Sequence, residues 1–262
     1  MLQLIYSAVI LVATSLGAFV GLGGGVIIKP ILDFIGQEPR MQVDFLSCIA
    51  VFTMSIVSTV KQIRNKVEFK KNIVLLISFG SIAGGFLGSL GVSQLENAVD
   101  SNTVRCVQAF ILASLLAAVS IYVGKSKFSL EIKNNFAICL VGLMLGFFAS
   151  FLGIGGGPIN VAVLTLFFSM NVRDSAVYSV AIIFFSQITK LITLFSSSGI
   201  EPYAHQWKTL IFILPAAILG GILGSKLNRR FDDKIIRKVF VAVMVLLVIL
   251  NVYNGITYLA AV

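Results

Sequence analysis

The sequence predicts an all-α polytopic membrane protein of two inverted repeats, each a Gly-broken helical hairpin plus three transmembrane helices, with about ten membrane segments in all. Three observations predict it: too little charge for a water-facing surface, long uncharged runs, and an internal duplication. Of 262 residues, 58% are hydrophobic and only 12% charged, and the mean hydropathy is +1.00. Soluble domains carry about a quarter charged residues, because a folded surface must be hydrated. Residues 1–28, 72–95, 134–172 and 239–262 contain no Asp, Glu, Lys or Arg, and about 20 apolar residues suffice for a helix to cross the hydrocarbon core. A β-barrel would show short alternating segments, and continuous apolar runs such as Ile73 to Ala83 do not alternate.

The duplication appears twice in register. Gly21-Leu22-Gly23-Gly24-Gly25-Val26-Ile27 recurs 132 residues later as Gly153-Ile154-Gly155-Gly156-Gly157-Pro158-Ile159, and Ala83-Gly84-Gly85-Phe86-Leu87-Gly88-Ser89 recurs 136 residues later from Leu219 to Ser225. This divides the chain into a first repeat over 1–124, a linker over 125–134 and a second repeat over 135–262.

Each repeat reads as five elements in the same order. The first hairpin is expected near 2–20 and 26–37, its partner near 135–152 and 158–170. As one helix the 39-residue run 134–172 would be about 58 Å long, twice the bilayer core. It must fold back, and the glycines followed by Pro158 are where continuous helix is least favoured. Whether each hairpin is re-entrant or crosses fully stays open. The remaining apolar windows lie near 44–60, 72–91 and 103–123, and near 175–196, 207–225 and 239–261.

Loop charge sets the orientation. Lys61, Arg64, Lys66, Lys70 and Lys71, then Lys125, Lys127 and Lys133, then Lys226, Arg229, Arg230, Lys234, Arg237 and Lys238 cluster in three connections, which the positive-inside rule makes cytoplasmic. Loops 92–102 and 197–207 and both chain ends, lacking Lys and Arg, are expected outside. Equivalent loops then lie on opposite sides, so the repeats are inverted. The expected location is the cytoplasmic membrane, without a cleavable signal peptide, since Met1 runs straight into an apolar stretch. The net charge of +9 serves orientation in lipid on this reading, and no nucleic-acid partner is expected. Cys48, Cys106 and Cys139, widely spaced in apolar sequence, read as reduced packing residues.

A half-helix starting after Gly23-Gly24-Gly25 or Gly155-Gly156-Gly157 exposes unpaired N–H groups and a positive dipole end, which attract an anion. The competing reading of these glycines is close helix packing, and it is the preferred one for Gly84-Gly85 and Gly220-Gly221. Lys190 lies inside an apolar window, on a stripe with Ser179, Ser186, Gln187, Thr193 and Ser197. It reads as counter-charge for an anion or as a snorkelling residue. The equivalent helix carries Ser55, Ser58, Thr59 and Gln62 without a cation. Lys29 reads as ligand contact or interfacial anchor; Asn160 is the neutral polar group after the second tract. Asp33 and Asp44 read as proton-linked carboxylates or, since both lie close to the polar outer loop 38–44, as solvated residues at a helix end, which explains them adequately. His205 stands alone near Trp207, no P-loop pattern is present, and neither catalytic residues, metal ligands nor a cofactor are expected. The expected partners are a small anionic solute, membrane lipid and a coupling ion, proton or sodium; nothing indicates an oligomeric state.

The paired G-x-G-G-G tracts, Gly23-Gly24-Gly25 followed by Pro30 and Gly155-Gly156-Gly157, resemble the sulfite exporter TauE/SafE family, also called TSUP, over nearly the whole chain. The second tract departs from the pattern, with Pro158 directly after the glycines and Ala162 where the later proline would be. The resemblance implies a secondary transporter of sulfur-containing anions such as sulfite, sulfonates or related organosulfur acids. The residues alone reach a small anion held near the midplane, which leaves other organic or inorganic anions, or a non-transporting assembly subunit, as alternatives.

Overall fold

A computed structural model describes residues 2–36, 39–65, 70–125, 129–153, 155–199 and 201–260. Ile154, Lys66 and Lys127, and the side chains of Lys71, Ser197 and His205, lie outside the described residues. The helices are α1 (Leu2–Val20), α2 (Gly25–Ile35), α3 (Arg40–Arg64), α4 (Lys71–Ala98), α5 (Ser101–Lys125), α6 (Asn135–Phe151), α7 (Gly157–Phe168), α8 (Val172–Ser198), α9 (Trp207–Arg230) and α10 (Asp233–Leu259). A 3₁₀ turn, Glu201–Gln206, precedes α9.

Seven of these helices are long and apolar enough to cross a membrane. The other three, α2, α6 and α7, belong to the glycine-broken hairpins. With 11 and 12 residues, α2 and α7 are about 16 and 18 Å long, half a bilayer core.

Most helices run past the apolar windows, because a helix continues while its ends are capped and charged favourably. Asn171 accepts from Asp174 N–H at the start of α8, and Asn134 accepts from Phe136 N–H at the start of α6. Lys61 and Arg64, Lys125, and Arg229 and Arg230 occupy the last turns of α3, α5 and α9, where cations offset the negative dipole end. The linker after 128 pairs with the end of α7: Leu130 N–H donates to Leu166 O and Ile132 N–H to Phe167 O.

Packing pairs the two halves. Helix α1 lies on α9 and α6 on α4; α5 lies on α10; α3 packs on α8 and α9, and α8 on α4. Exchanging the first five helices for the second five maps these pairings onto one another. The close seams use the second glycine pair. A Cβ on Gly84 would sit 1.9 Å from Leu143 O of α6, and one on Gly220 1.9 Å from Thr14 Oγ1 of α1, so only glycine lets these backbones touch. Large apolar side chains such as Phe79, Phe136, Ile211 and Ile249 face outward, a surface suited to lipid. The three cysteines are free.

Candidate functional site

Both breaks use the same backbone shape. Gly23 and Gly24 have φ of 78° and 77°, and Gly155 and Gly156 have 69° and 81°, the left-handed region that favours glycine. Pro158 does not alter the second break, because it falls in the first turn of α7, where its missing N–H costs nothing. The breaks touch each other. A Cβ on Gly157 would lie 2.0 Å from Leu22 O, and Ser179 Oγ donates to Gly21 O at 2.6 Å and also approaches Gly157 O at 3.3 Å. Neither α2 nor α7 has a side-chain hydrogen bond at its N-cap.

Beside this junction opens a vestibule of about 330 Å³. Its walls are Gly25, Val26 and Lys29 of α2, Asp44 of α3, Arg105 and Gln108 of α5, Asn251, Asn254 and Tyr258 of α10, and Leu152 and Gly153 at the end of α6. Sharing Gly25 and Gly153 with it is a cleft of about 10 Å³ lined also by Gly23, Ser47, Gly155, Gln187 and Lys190, roughly the space of one water. A third cavity of about 60 Å³, between α4, α6 and α8, again reaches Gly153, Gly155, Gln187 and Lys190 and adds Ser81, Ser89, Ser150 and Ser186. All three spaces therefore converge on Gly153.

Charge converges there too. The Lys29 ammonium pairs with the Asp44 carboxylate, and Lys190 Nζ stands 3.8 Å from the same Asp44 oxygen. These side chains are 18%, 20% and 27% exposed, for Lys29, Asp44 and Lys190, reachable by a solute yet largely out of water. Arg105 lies over the Tyr258 ring at 5.9 Å, and its buried Nε has no hydrogen-bond partner. Gln108 Nε2 donates to Phe151 O and Asn251 Nδ2 to Leu247 O, so two of the neutral walls are fixed. Among the described residues no group of three His, Cys, Asp or Glu can hold a metal ion. The arrangement offers cations, amides and an uncapped helix start to an anion.

The profile of the family described as Sulfite exporter TauE/SafE matches residues 6–251. The chain belongs to the sulfite exporter TauE/SafE family. It is 28% identical over 273 residues to the probable membrane transporter protein YunE of Bacillus subtilis, covering 94% of this chain and 96% of that one. A probable membrane transporter protein of Methanocaldococcus jannaschii is 27% identical over 240 residues, 85% of each chain. No solved structure matches significantly. This TauE/SafE-family chain is a multi-pass membrane transporter.

The structure distributes the sequence-predicted residues unequally. Gly23, Gly25, Lys29, Gly155, Gln187 and Lys190 line the vestibule or the cleft. Gly24 and Gly156 are the turn residues behind them, and Gly157 packs on Leu22. Asn160 is buried beside Gly156 and lines none of the three cavities. Ser55 Oγ donates to Phe52 O, and Ser58 shares a 2.6 Å hydrogen bond with Ser225, so both serve the α3 interior and its seam with α9. Asp44 corrects the reading of a solvated helix end: α3 begins at Arg40, which puts Asp44 in the second turn against Lys29. Arg105, Asn251, Asn254 and Tyr258 enter the site without a signal in the sequence beyond polarity near a helix end.

Proposed function

We propose that this protein is a secondary transporter that carries small sulfur-containing anions, such as sulfite or a sulfonate, across the cytoplasmic membrane through a site between two inverted repeats. The observation that carries the reading is the convergence of Lys29, from the vestibule, and Lys190, from the adjoining cleft, on Asp44 beside the two glycine breaks. A net positive charge in a low-dielectric recess attracts an anion far more strongly than in water, and transporter sites commonly sit where broken helices of two repeats meet. The helix pairings that map onto one another on exchange of the halves support the repeat architecture.

With the loops placed by their charge, the vestibule opens outward, since Arg105 follows the outer loop 92–102 and Tyr258 is near the outer end of α10. The inner halves of α5 and α10 are closed by Leu116, Val119, Phe240 and Met244, all buried. The geometry thus corresponds to one side of an alternating cycle. The test is flux of radiolabelled sulfite, thiosulfate and a small sulfonate into proteoliposomes, with empty liposomes and Lys190→Ala in parallel. Saturable flux that the variant loses supports the reading. Wild-type protein that moves none of them while moving another anion ends the sulfur assignment and leaves the anion site.

A further inference from the structure

We propose that Asp44 sets the valence of the solute, tuning the site to a singly charged anion. The inference rests on the anion-transport reading above and adds the charge class. Among the described residues, the charged groups lining the vestibule and the cleft are Lys29, Lys190, Arg105, Asp33 and Asp44. Three cations against two carboxylates leave a single positive charge. Asp44 is the carboxylate in contact with the cations that matter: it pairs with Lys29 and lies 3.8 Å from Lys190.

An enclosed, partly desolvated site penalises uncompensated charge of either sign. One monovalent anion brings the lining to neutrality, and a divalent anion leaves an excess negative charge beside Asp44. The direction of approach follows as well. Lys29 is engaged by Asp44 directly, so the incoming anionic group meets Lys190, whose ammonium is farther from that carboxylate and shares the cleft with Gln187 and Gly155. Asp44 is in this account a specificity-determining residue that acts through charge rather than by touching every solute.

The test compares two probes of fixed charge near neutral pH, methanesulfonate as monoanion and thiosulfate as dianion, by KM for flux in proteoliposomes. Wild-type protein is expected to show the lower KM for methanesulfonate. Asp44→Asn, which raises the lining to two positive charges, is expected to shift the KM ratio toward thiosulfate by at least tenfold, about 1.4 kcal/mol, and Asp44→Glu to keep the wild-type order. The double variant Asp44→Asn/Lys29→Gln removes the ion pair as a unit, restores the wild-type net charge and must again favour the monoanion, which keeps the proposal testable if Asp44→Asn alone does not fold. An unchanged ratio in Asp44→Asn, or a double variant that favours thiosulfate, overturns the inference while leaving anion transport in place. Wild-type protein that moves neither probe nor any other anion overturns the transport reading and this inference with it.

Discussion

Replacing Gly157 by alanine tests whether the two glycine breaks are held together by backbone contact. The new Cβ would lie 2.0 Å from Leu22 O and 2.3 Å from Leu22 C, whereas ordinary contact begins near 3.4 Å. Helix α7 must therefore back away from the first break by about 1.4 Å, and no rotamer change relieves a clash with backbone. Overpacking of this kind costs about 1–3 kcal/mol, a central value of about 2. For a chain of this size each kcal/mol moves the melting temperature by roughly 2–4 °C, so Gly157→Ala should melt about 4–8 °C lower. Gly91→Ala is the matched control. Its Cβ would meet Phe151 Cδ2 at 3.8 Å, an ordinary contact, and alanine is favoured over glycine inside a helix by up to about 1 kcal/mol. It should melt at or slightly above the wild-type temperature. Thermal unfolding in detergent, followed by loss of the monodisperse peak on size exclusion, reads both. A Gly157→Ala protein melting within about 1 °C of Gly91→Ala refutes the claim that this contact constrains the site.

Further outcomes follow from the same geometry. Arg105→Gln removes a vestibule cation outside the Lys29–Asp44–Lys190 cluster and should raise KM for an anion about 3- to 10-fold with kcat unchanged, as the loss of a charge acting on capture does; a kcat effect with constant KM would place Arg105 elsewhere in the cycle. Ser58→Ala should lower stability by about 1 kcal/mol through loss of the Ser225 hydrogen bond, and flux assays should find KM unchanged because Ser58 lines none of the three cavities around Gly153. Gly84→Ala should disrupt the α4–α6 seam and sharply reduce the yield of folded protein. Its neighbour Gly85→Ala meets Ser150 Oγ, on a side chain, at 3.2 Å and Gly146 O at an ordinary 3.9 Å and should express normally.

The sequence made the broken hairpins legible because they are duplicated: one G-x-G-G-G tract is ambiguous, and two at matching places imply a shared backbone requirement, which the matching φ angles at Gly23, Gly24, Gly155 and Gly156 express. The packing role of Gly84 and Gly220 was readable from small residues inside regular spans. What escaped was pairing across distance. Asp44 and Lys29 are neighbours only because α2 folds back along α3, and the apolar window hid the first turn of α3, so a carboxylate inside the site looked like part of a polar loop. Arg105 and Asn254 lie on α5 and α10, which meet as partners from opposite halves, and nothing local distinguishes them from interfacial residues. The serine face of α3 was misleading for a related reason: a polar stripe marks a neighbour as readily as a path, and Ser58 found Ser225.

On the proposed reading the vestibule opens to the outer face and a transported anion occupies it. Asn254→Cys, with Cys48, Cys106 and Cys139 replaced by alanine, places a thiol on the vestibule wall. Its labelling by a membrane-impermeant maleimide in intact cells should be fast, and saturating transported anion should slow it several-fold. Labelling that requires permeabilised membranes, or that proceeds at the same rate with the anion present, contradicts the account.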